Sequence, residues 1–500
     1  MNFIKIILWG NEVGRLVWDK RKNISYFIFN NSIIDQIPDI APILAPKASR
    51  SALKPIYGDT RGIYHKLPPF LADSLPDYWG SLLFSKWVEE NKIPKNIVTP
   101  LYRLTFMGKR AMGAFEFEPA ADELSKVRPV DVKSLYDLSV KVFEDRFSTS
   151  ITYNDDLTMQ SLLQVGTSAG GRQKKAIIAI NRETGEIRSG QIGGLKEHDY
   201  YILKFGDKSF PLAEIEMAYH DMAVSAGILM EESRLLPVEG VNHFITKRFD
   251  RKEGKKILLQ TLAAIYPDAM SYEDLFYTCR QLGLTNGEIT QLYRRLVFNV
   301  IANNTDDHIK NFSFLLEPEG RWELSPAYDM TFIFNSTVTA PDDEHVFSLR
   351  GKLRDITKED LIEFAKQNDI KNPRKIIDEV AESLGKFSEY AEKYGIWQPY
   401  RAIIRKRVND NLRKFDYLKD DIETDAVVLR DEAGREISDF RIFLNTRGIY
   451  VVEAIIDGQR RRRFIRKNMK EFNELQSKDV YGLTDKEKIR LVETLLCGCG

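Results

Sequence analysis

The stretch Asn303-Asn304-Thr305-Asp306-Asp307-His308-Ile309-Lys310-Asn311 constrains this chain more than any other. It follows the apolar run 296–301, which reads as the end of a helix with the asparagine pair as its C-terminal stop. Phe312-Ser313-Phe314-Leu315-Leu316 comes next and reads as a strand. A polar loop between a buried helix and a buried strand is where a rigid scaffold presents chemistry. An Asx-rich turn that merely caps its neighbours has the same composition, so the spacing inside the loop has to decide.

Asp306 and Asn311 are five residues apart, the separation of the base Asp and the metal-binding Asn in a protein-kinase catalytic loop. A second acidic residue, Asp329, follows in Leu324-Ser325-Pro326-Ala327-Tyr328-Asp329-Met330. Phosphoryl transfer uses such a set: one carboxylate orients the attacking hydroxyl, while an Asn and another carboxylate hold magnesium on the phosphates.

At 500 residues the chain exceeds a typical single domain. Hydrophobic residues make up 43% and charged residues 29%, which suits a soluble protein with a sizeable core. Lys+Arg and Asp+Glu both total 73, so nothing global points to nucleic acid or acidic lipid. The three cysteines, Cys279, Cys497 and Cys499, are too few and too uneven for a disulfide framework and indicate a reducing compartment. Cys497-Gly498-Cys499 has no His or Cys cluster near it and reads as a frayed tail. The apolar opening, residues 1–10, is short and soon charged, and reads as a first strand. No run reaches the roughly 18 apolar residues that span a bilayer. A cytoplasmic protein without membrane attachment is expected.

Four regions are expected. Residues 1–120 look like a small α+β unit with strands at 4–9, 13–18 and 25–29 and a helix at 81–90. Asp73 and Ser74, in Asp73-Ser74-Leu75-Pro76-Asp77-Tyr78-Trp79-Gly80, read as caps or turn formers. Residues 121–255 begin with a connecting helix (132–143) and then alternate strands at 176–180, 200–205 and 243–250 with a helix at 214–226 closed by Gly227. From 256 to 420 the helical period dominates. Residues 421–500 return to short strands separated by turns, with Thr484-Asp485-Lys486-Glu487 as the capping box of a last helix.

A phosphate-transferring site also needs a donor-rich loop and a cation. Gly166-Thr167-Ser168-Ala169-Gly170-Gly171-Arg172-Gln173-Lys174 precedes the 176–180 strand, and Gly170 and Gly171 let backbone N–H groups close on phosphate oxygens. The sequence is neither a Walker A loop nor a standard kinase glycine loop, and an ordinary surface turn reads the same way. Lys204 lies inside an apolar strand run, with Glu216 on the next helix as its natural partner, since kinases pair a strand Lys with a helix Glu. The bland reading is a snorkelling lysine and a solvated glutamate. Arg248 and Asp250 read as a strand-end pair rather than a nucleotide-side salt bridge. His308 reads as a loop-fixing hydrogen-bonder or a proton carrier. The other histidines show no metal-ligand spacing. Arg460-Arg461-Arg462-Arg463 with Arg466 and Lys467 is the one basic patch, either a solvated strand end or a contact for nucleic acid or an acidic partner.

These motifs closely resemble HipA-type Ser/Thr kinases, the toxins of bacterial toxin–antitoxin modules. The likeness rests on 304–313, on Pro326-Ala327-Tyr328-Asp329-Met330, on Ser168-Ala169-Gly170-Gly171-Arg172-Gln173-Lys174 and on 73–80, four motifs in order over residues 1–420. The resemblance implies Asp306 as catalytic base, Asn311 and Asp329 as Mg2+ ligands and Lys204 as the lysine on the ATP phosphates. It makes 167–174 a phosphate-binding loop autophosphorylated at Thr167 or Ser168. It further implies a protein substrate, with aminoacyl-tRNA synthetases among the family's targets, and a helix-turn-helix antitoxin partner that binds operator DNA. Residues 421–500 match nothing in the family's core. The expected fold is α+β and two-lobed, protein-kinase-like, with a strand-rich N-lobe and a helical C-lobe. A small N-terminal α+β domain and a C-terminal β-plus-helix extension complete it. Two other readings stay open: a small-molecule or lipid kinase using the same metal site, and a non-catalytic DNA-associated co-repressor, against which the full set Lys204, Asp306, Asn311 and Asp329 argues.

Overall fold

Alternation builds the first sheet: Phe3–Leu8 (β1) buries Ile4, Ile6 and Leu8, and Gly10, at φ +82°, turns the chain into Asn11–Asp19 (β2). The structure, a computed structural model, describes residues 3–47, 54–76, 78–120, 128–144, 162, 166, 173–335, 337–418, 429–430, 434–444, 450–466, 469, 471 and 485–497. Ile24–Phe29 (β3), Ile56–Tyr57 (β4) and Phe115–Glu118 (β5) complete a five-stranded antiparallel sheet in the order β4-β3-β2-β1-β5. Pro69–Ala72 (α1), Tyr78–Glu90 (α2) and Pro100–Met107 (α3) belong to the same N-terminal region. The start of α3 is fixed by Thr99, whose hydroxyl accepts from the Tyr102 amide, with Pro100 at the first helical position.

After Val132–Glu144 (α4) a second five-stranded antiparallel sheet forms. Its strands are Lys175–Asn181 (β6), Ile187–Ser189 (β7), His198–Lys204 (β8), Ser233–Val238 (β9) and Val241–Lys247 (β10), in the order β7-β6-β8-β10-β9. Leu212–Ser225 (α5) connects β8 to β9, and Gly227 follows it at φ +76°.

The next region is mainly helical, as expected, but carries more strands than the one expected at 312–316. Arg251–Lys252 (β11) and Lys255–Lys256 (β12) make a hairpin, and Leu258–Thr261 (β13) pairs with Ser313–Leu316 (β14), which pairs with Trp322–Leu324 (β15). Helices supply the rest: Leu262–Ile265 (α6), Tyr272–Gln281 (α7), Asn286–Ala302 (α8), Lys358–Gln367 (α9), Pro373–Gly385 (α10), Phe387–Lys393 (α11) and Tyr400–Lys414 (α12). A reciprocal capping box, Thr285 with Glu288, starts α8, and Asn303 ends it in the left-handed conformation at φ +60°. The fold is thus mixed α+β, with a strand-rich lobe preceding a mainly helical one.

The N-terminal sheet and the helical lobe share one core, which runs from Ile6 and Phe27 through Tyr219 to Leu292, Val380 and Leu412. Polar contacts pin the two together. Asp73, expected as a local cap, crosses to Thr261, accepting from its amide at 2.7 Å and its hydroxyl at 2.9 Å. Tyr64 donates to the Ala263 carbonyl. Asp250 does pair with Arg248, yet the pair is buried: the carboxylate also accepts from Arg251 and from the Gly113 amide at 2.7 Å.

Leu429–Arg430 (β16), Glu436–Leu444 (β17), Tyr450–Ile456 (β18) and Gln459–Ile465 (β19) form an antiparallel meander in sequence order. Asp485–Val492 (α13), continued by a π-helical turn to Cys497, covers it. Two small clusters hold it, one of Ile442, Val452, Ile465 and Leu495, the other of Ile437, Ala454, Ile456 and Val492. Thr484 of the expected capping box and residues 431–433 and 445–448 of the expected turns lie outside the described residues. Among the described residues no helix is long and apolar enough to cross a membrane.

Candidate active site

Strand register sets the first half of the site. Lys204 ends β8 opposite Lys175 on β6, so two lysines sit side by side. Both are buried. Helix α5 runs behind this edge with Glu216 on it. The Lys204 ammonium is ion-paired with both Glu216 and Asp329, a residue 125 positions further along. The side chains of Lys204 and Glu216 are 8% and 6% exposed, whereas that of Asp329 is 33% exposed, so solvent reaches the triad from the Asp329 side.

The charges hold one another. Burial alone would lower the Lys204 pKa, but the Asp329 and Glu216 carboxylates outweigh it and raise it above the ordinary lysine value. Burial would raise Asp329, but Lys204 and then Lys175 win and hold its carboxyl at about 2. Glu216, deeper, has burial as its largest influence and is shifted upward against the pull of Lys204.

The second half is the loop after α8. Asn304 donates to the Asn299 side chain at 2.9 Å. Asn303 donates to the Asp342 carbonyl at 3.0 Å. Asp307, fully buried, is the loop's anchor. It accepts from Tyr272 Oη at 2.7 Å, His345 Nδ1 at 2.8 Å, and the amides of Val346 and Phe347 at 2.9 and 3.2 Å. With Asp307 pinned inward, its neighbour Asp306 projects outward, with a side chain 53% exposed. Asn311 donates its amide to the Asp306 carbonyl at 2.6 Å, which leaves its side-chain oxygen as the donor for a cation. His308 Nδ1 accepts from the Lys310 amide at 3.2 Å, and its Nε2 stands 3.8 Å from Asp306. The hydrogen bond is the loop-fixing geometry.

Asn311 and Asp329 line one cavity with Arg295, Asn304, Asp307 and Tyr328. Tyr328 donates to the Lys310 carbonyl at 2.7 Å, tying the segment before Asp329 to the loop. Asp329 itself takes φ +52°, a conformation that Asp tolerates better than most residues. The Asn304 side-chain oxygen is buried there without a partner among the described residues. Oxygen donors with one firmly ionised carboxylate suit a hard divalent cation such as Mg2+.

Of the residues expected from sequence, Lys204, Glu216 and Asp329 are in contact, Asn311 lines a cavity with Asp329, and Asp306 is bonded to Asn311 through its backbone carbonyl. Lys174 stands over the Tyr136 ring at 5.8 Å, and Lys175, not singled out from sequence, is the lysine that acts on Asp329 and Glu216 after Lys204. The period-2 alternation of β6, which sends neighbours to opposite faces, carried that signal. Gly170, Gly171, Thr167 and Ser168 lie outside the described residues. The anchoring role of Asp307 was also missed, because its partners are 35 to 40 positions away.

The HipA N-terminal domain profile matches residues 4–118, and the HipA-like C-terminal domain profile matches residues 167–387. A Haemophilus influenzae protein named as an inferred kinase is 27% identical over 213 residues, 37% of this chain and 60% of that protein. A similarly named Sinorhizobium fredii protein is 28% identical over 211 residues, 37% of this chain and 50% of its own length. The chain therefore spans between a half and two thirds of each of these relatives. Among solved structures, the Shewanella oneidensis toxin–antitoxin protein HipA, in complex with HipB and its operator DNA, matches with a TM-score of 0.57 at 14% identity. The match covers 84% of this chain and 100% of that one. With both domain profiles matched in order and the HipA fold reproduced, the chain belongs to the HipA-type proteins.

Proposed function

We propose that this protein is an ATP- and Mg2+-dependent protein serine/threonine kinase acting as a HipA-like toxin. The observation that carries this reading is the convergence of Lys204 and Glu216 on Asp329, more than 100 residues further on, whose cavity Asn311 also lines. Lys204 neutralises phosphate charge and is held in place by Glu216. The oxygens of Asn311 and Asp329 hold the metal, which when bound supplies charge neutralisation on the phosphates. Asp306, exposed and anchored through Asp307, takes the proton of the acceptor hydroxyl.

The substrate is a cellular protein, with an aminoacyl-tRNA synthetase as the class that the family likeness favours, and its phosphorylation arrests growth. A helix-turn-helix antitoxin is the partner, bringing operator DNA, as HipB does in the Shewanella oneidensis complex. The loop 167–174 binds phosphate and is autophosphorylated at Thr167 or Ser168, where about −1.5 to −2 added charges would repel ATP phosphates. Mass spectrometry after incubation with Mg2+-ATP tests that switch; an active enzyme unmodified at both positions rules it out.

The two aspartates test the site. Asp329→Asn should lose Mg2+-dependent nucleotide affinity together with turnover. Asp306→Asn should bind Mg2+-ATP normally by calorimetry while transfer falls by roughly 10²–10⁴-fold. Loss of binding in Asp306→Asn with no change in Asp329→Asn would overturn the assignment.

A further inference from the structure

A second cavity, of about 510 Å3, lies against the same loop and shares no residue with the one lined by Asn311 and Asp329. Its wall includes Thr305 from the loop, Asp343, Arg354 and Asp355 from the segment after Asp329, and Arg407 and Lys414 from α12. The volume is that of a small-molecule site, but this lining is charged rather than apolar. Three cations and two carboxylates call for a ligand that is both anionic and rich in hydroxyls.

One observation favours occupancy. The cations are held only loosely at the mouth. Arg354 meets Glu344 at 3.5 Å and Lys414 meets Asp355 at 3.7 Å, all four side chains being more than half exposed; such pairs are weak and exchange partners readily. Arg407, less exposed than the other two cations, is ion-paired with Asp343, whose side chain is itself mostly exposed.

We propose that this cavity binds a sugar phosphate, free or as part of a nucleotide. The phosphate is held by Arg354, Arg407 and Lys414, Arg presenting a fork that matches phosphate oxygens. As these cations turn to the phosphate, Asp343 and Asp355 are released and accept hydrogen bonds from the sugar hydroxyls. Occupancy bears on the catalytic loop from both sides, because Thr305 precedes Asp306 and His345, also in the wall, holds Asp307. That coupling rests on the kinase reading; the binding does not.

The test is calorimetry on the full chain with ribose 5-phosphate, adenosine monophosphate and inorganic phosphate. Saturable binding of a sugar phosphate is expected, about tenfold or more tighter than phosphate, and about tenfold weaker in each of Arg354→Gln and Lys414→Gln. It should persist in Lys204→Met, which disables the other site. Tighter binding of adenosine monophosphate in that variant assigns the site to nucleotides, and tighter binding of ribose 5-phosphate to free sugar phosphates; both uphold it. The proposal is overturned by absence of saturable binding, by indifference to Arg354→Gln and Lys414→Gln, by loss in Lys204→Met, or by inorganic phosphate binding equally well. None of these results bears on whether Asp306 transfers phosphate, so the two readings fail separately.

Discussion

Asp306 and Asp307 are chemically identical neighbours with opposite roles, and burial separates them. Asp306 reaches solvent with its proposed proton-accepting oxygen, while Asp307 spends both oxygens on four donors inside the protein. Asp307→Asn replaces one acceptor oxygen with an NH2 group that faces donors. The cost should be about 2–4 kcal/mol of stability, from unsatisfied buried groups. Asp306→Asn should stay within about 0.5 kcal/mol of the parent, as exposed substitutions do. Urea unfolding of both variants checks this, and equal losses would show that the loop is not anchored through Asp307. The spacing from Asp306 to Asn311 was legible because a local motif carries it. The anchoring of Asp307 was not, since Tyr272 and His345 approach only once α7 and the segment after Asp329 have packed around the loop.

Elements show the same division. The run of Tyr200-Tyr201-Ile202-Leu203 and the long helix α8 carry strong periodicity and capping signals, and both lie where the sequence put them. Strand β13 was hidden, because Leu258-Leu259-Gln260-Thr261 is short and its partner β14 lies more than 50 residues on. Strand β10 conceals a pH dependence as well. His243 is fully buried between the rings of Tyr136 and Phe205, at 5.0 and 5.6 Å, and its Nδ1 accepts from the Gly206 amide at 2.9 Å. Burial, helped by Lys174, pushes its pKa down to about 4 from the ordinary 6.5. Between those values the unfolded chain takes up a proton that the folded chain refuses, so stability falls as the pH drops through this window. The shift corresponds to about 3 kcal/mol. His243→Gln keeps an acceptor for Gly206 and cannot titrate. Urea unfolding at pH 7 and pH 4 should show the parent losing about 3 kcal/mol more than this variant; parallel losses would mean that His243 is not held neutral.

The assembly of regions was the least legible level, since it depends on contacts between residues far apart in the chain. Nothing local in Asp73 announces that it will bond Thr261, 188 positions away, nor in Gly113 that a side chain there would collide with Leu259. These contacts make the N-terminal sheet and the helical lobe one cooperative body around one core. The C-terminal meander is built differently. Its apolar residues close on themselves in two clusters, with Arg462 of β19 bonded to the buried Glu453 of β18 at 2.6 Å. We therefore expect residues 421–500 to be a separable module that supplies partner or substrate contacts. Ending the chain at residue 418 should leave the rest folded, with a melting temperature within about 4 °C of the parent, the shift produced by about 1–2 kcal/mol in a chain of this size. Mg2+-ATP turnover on a generic protein acceptor should persist, while capture of the cognate partner should fall. Loss of cooperative unfolding in the truncated chain would instead make the meander a cover for apolar surface of the helical lobe, and the module reading would be abandoned.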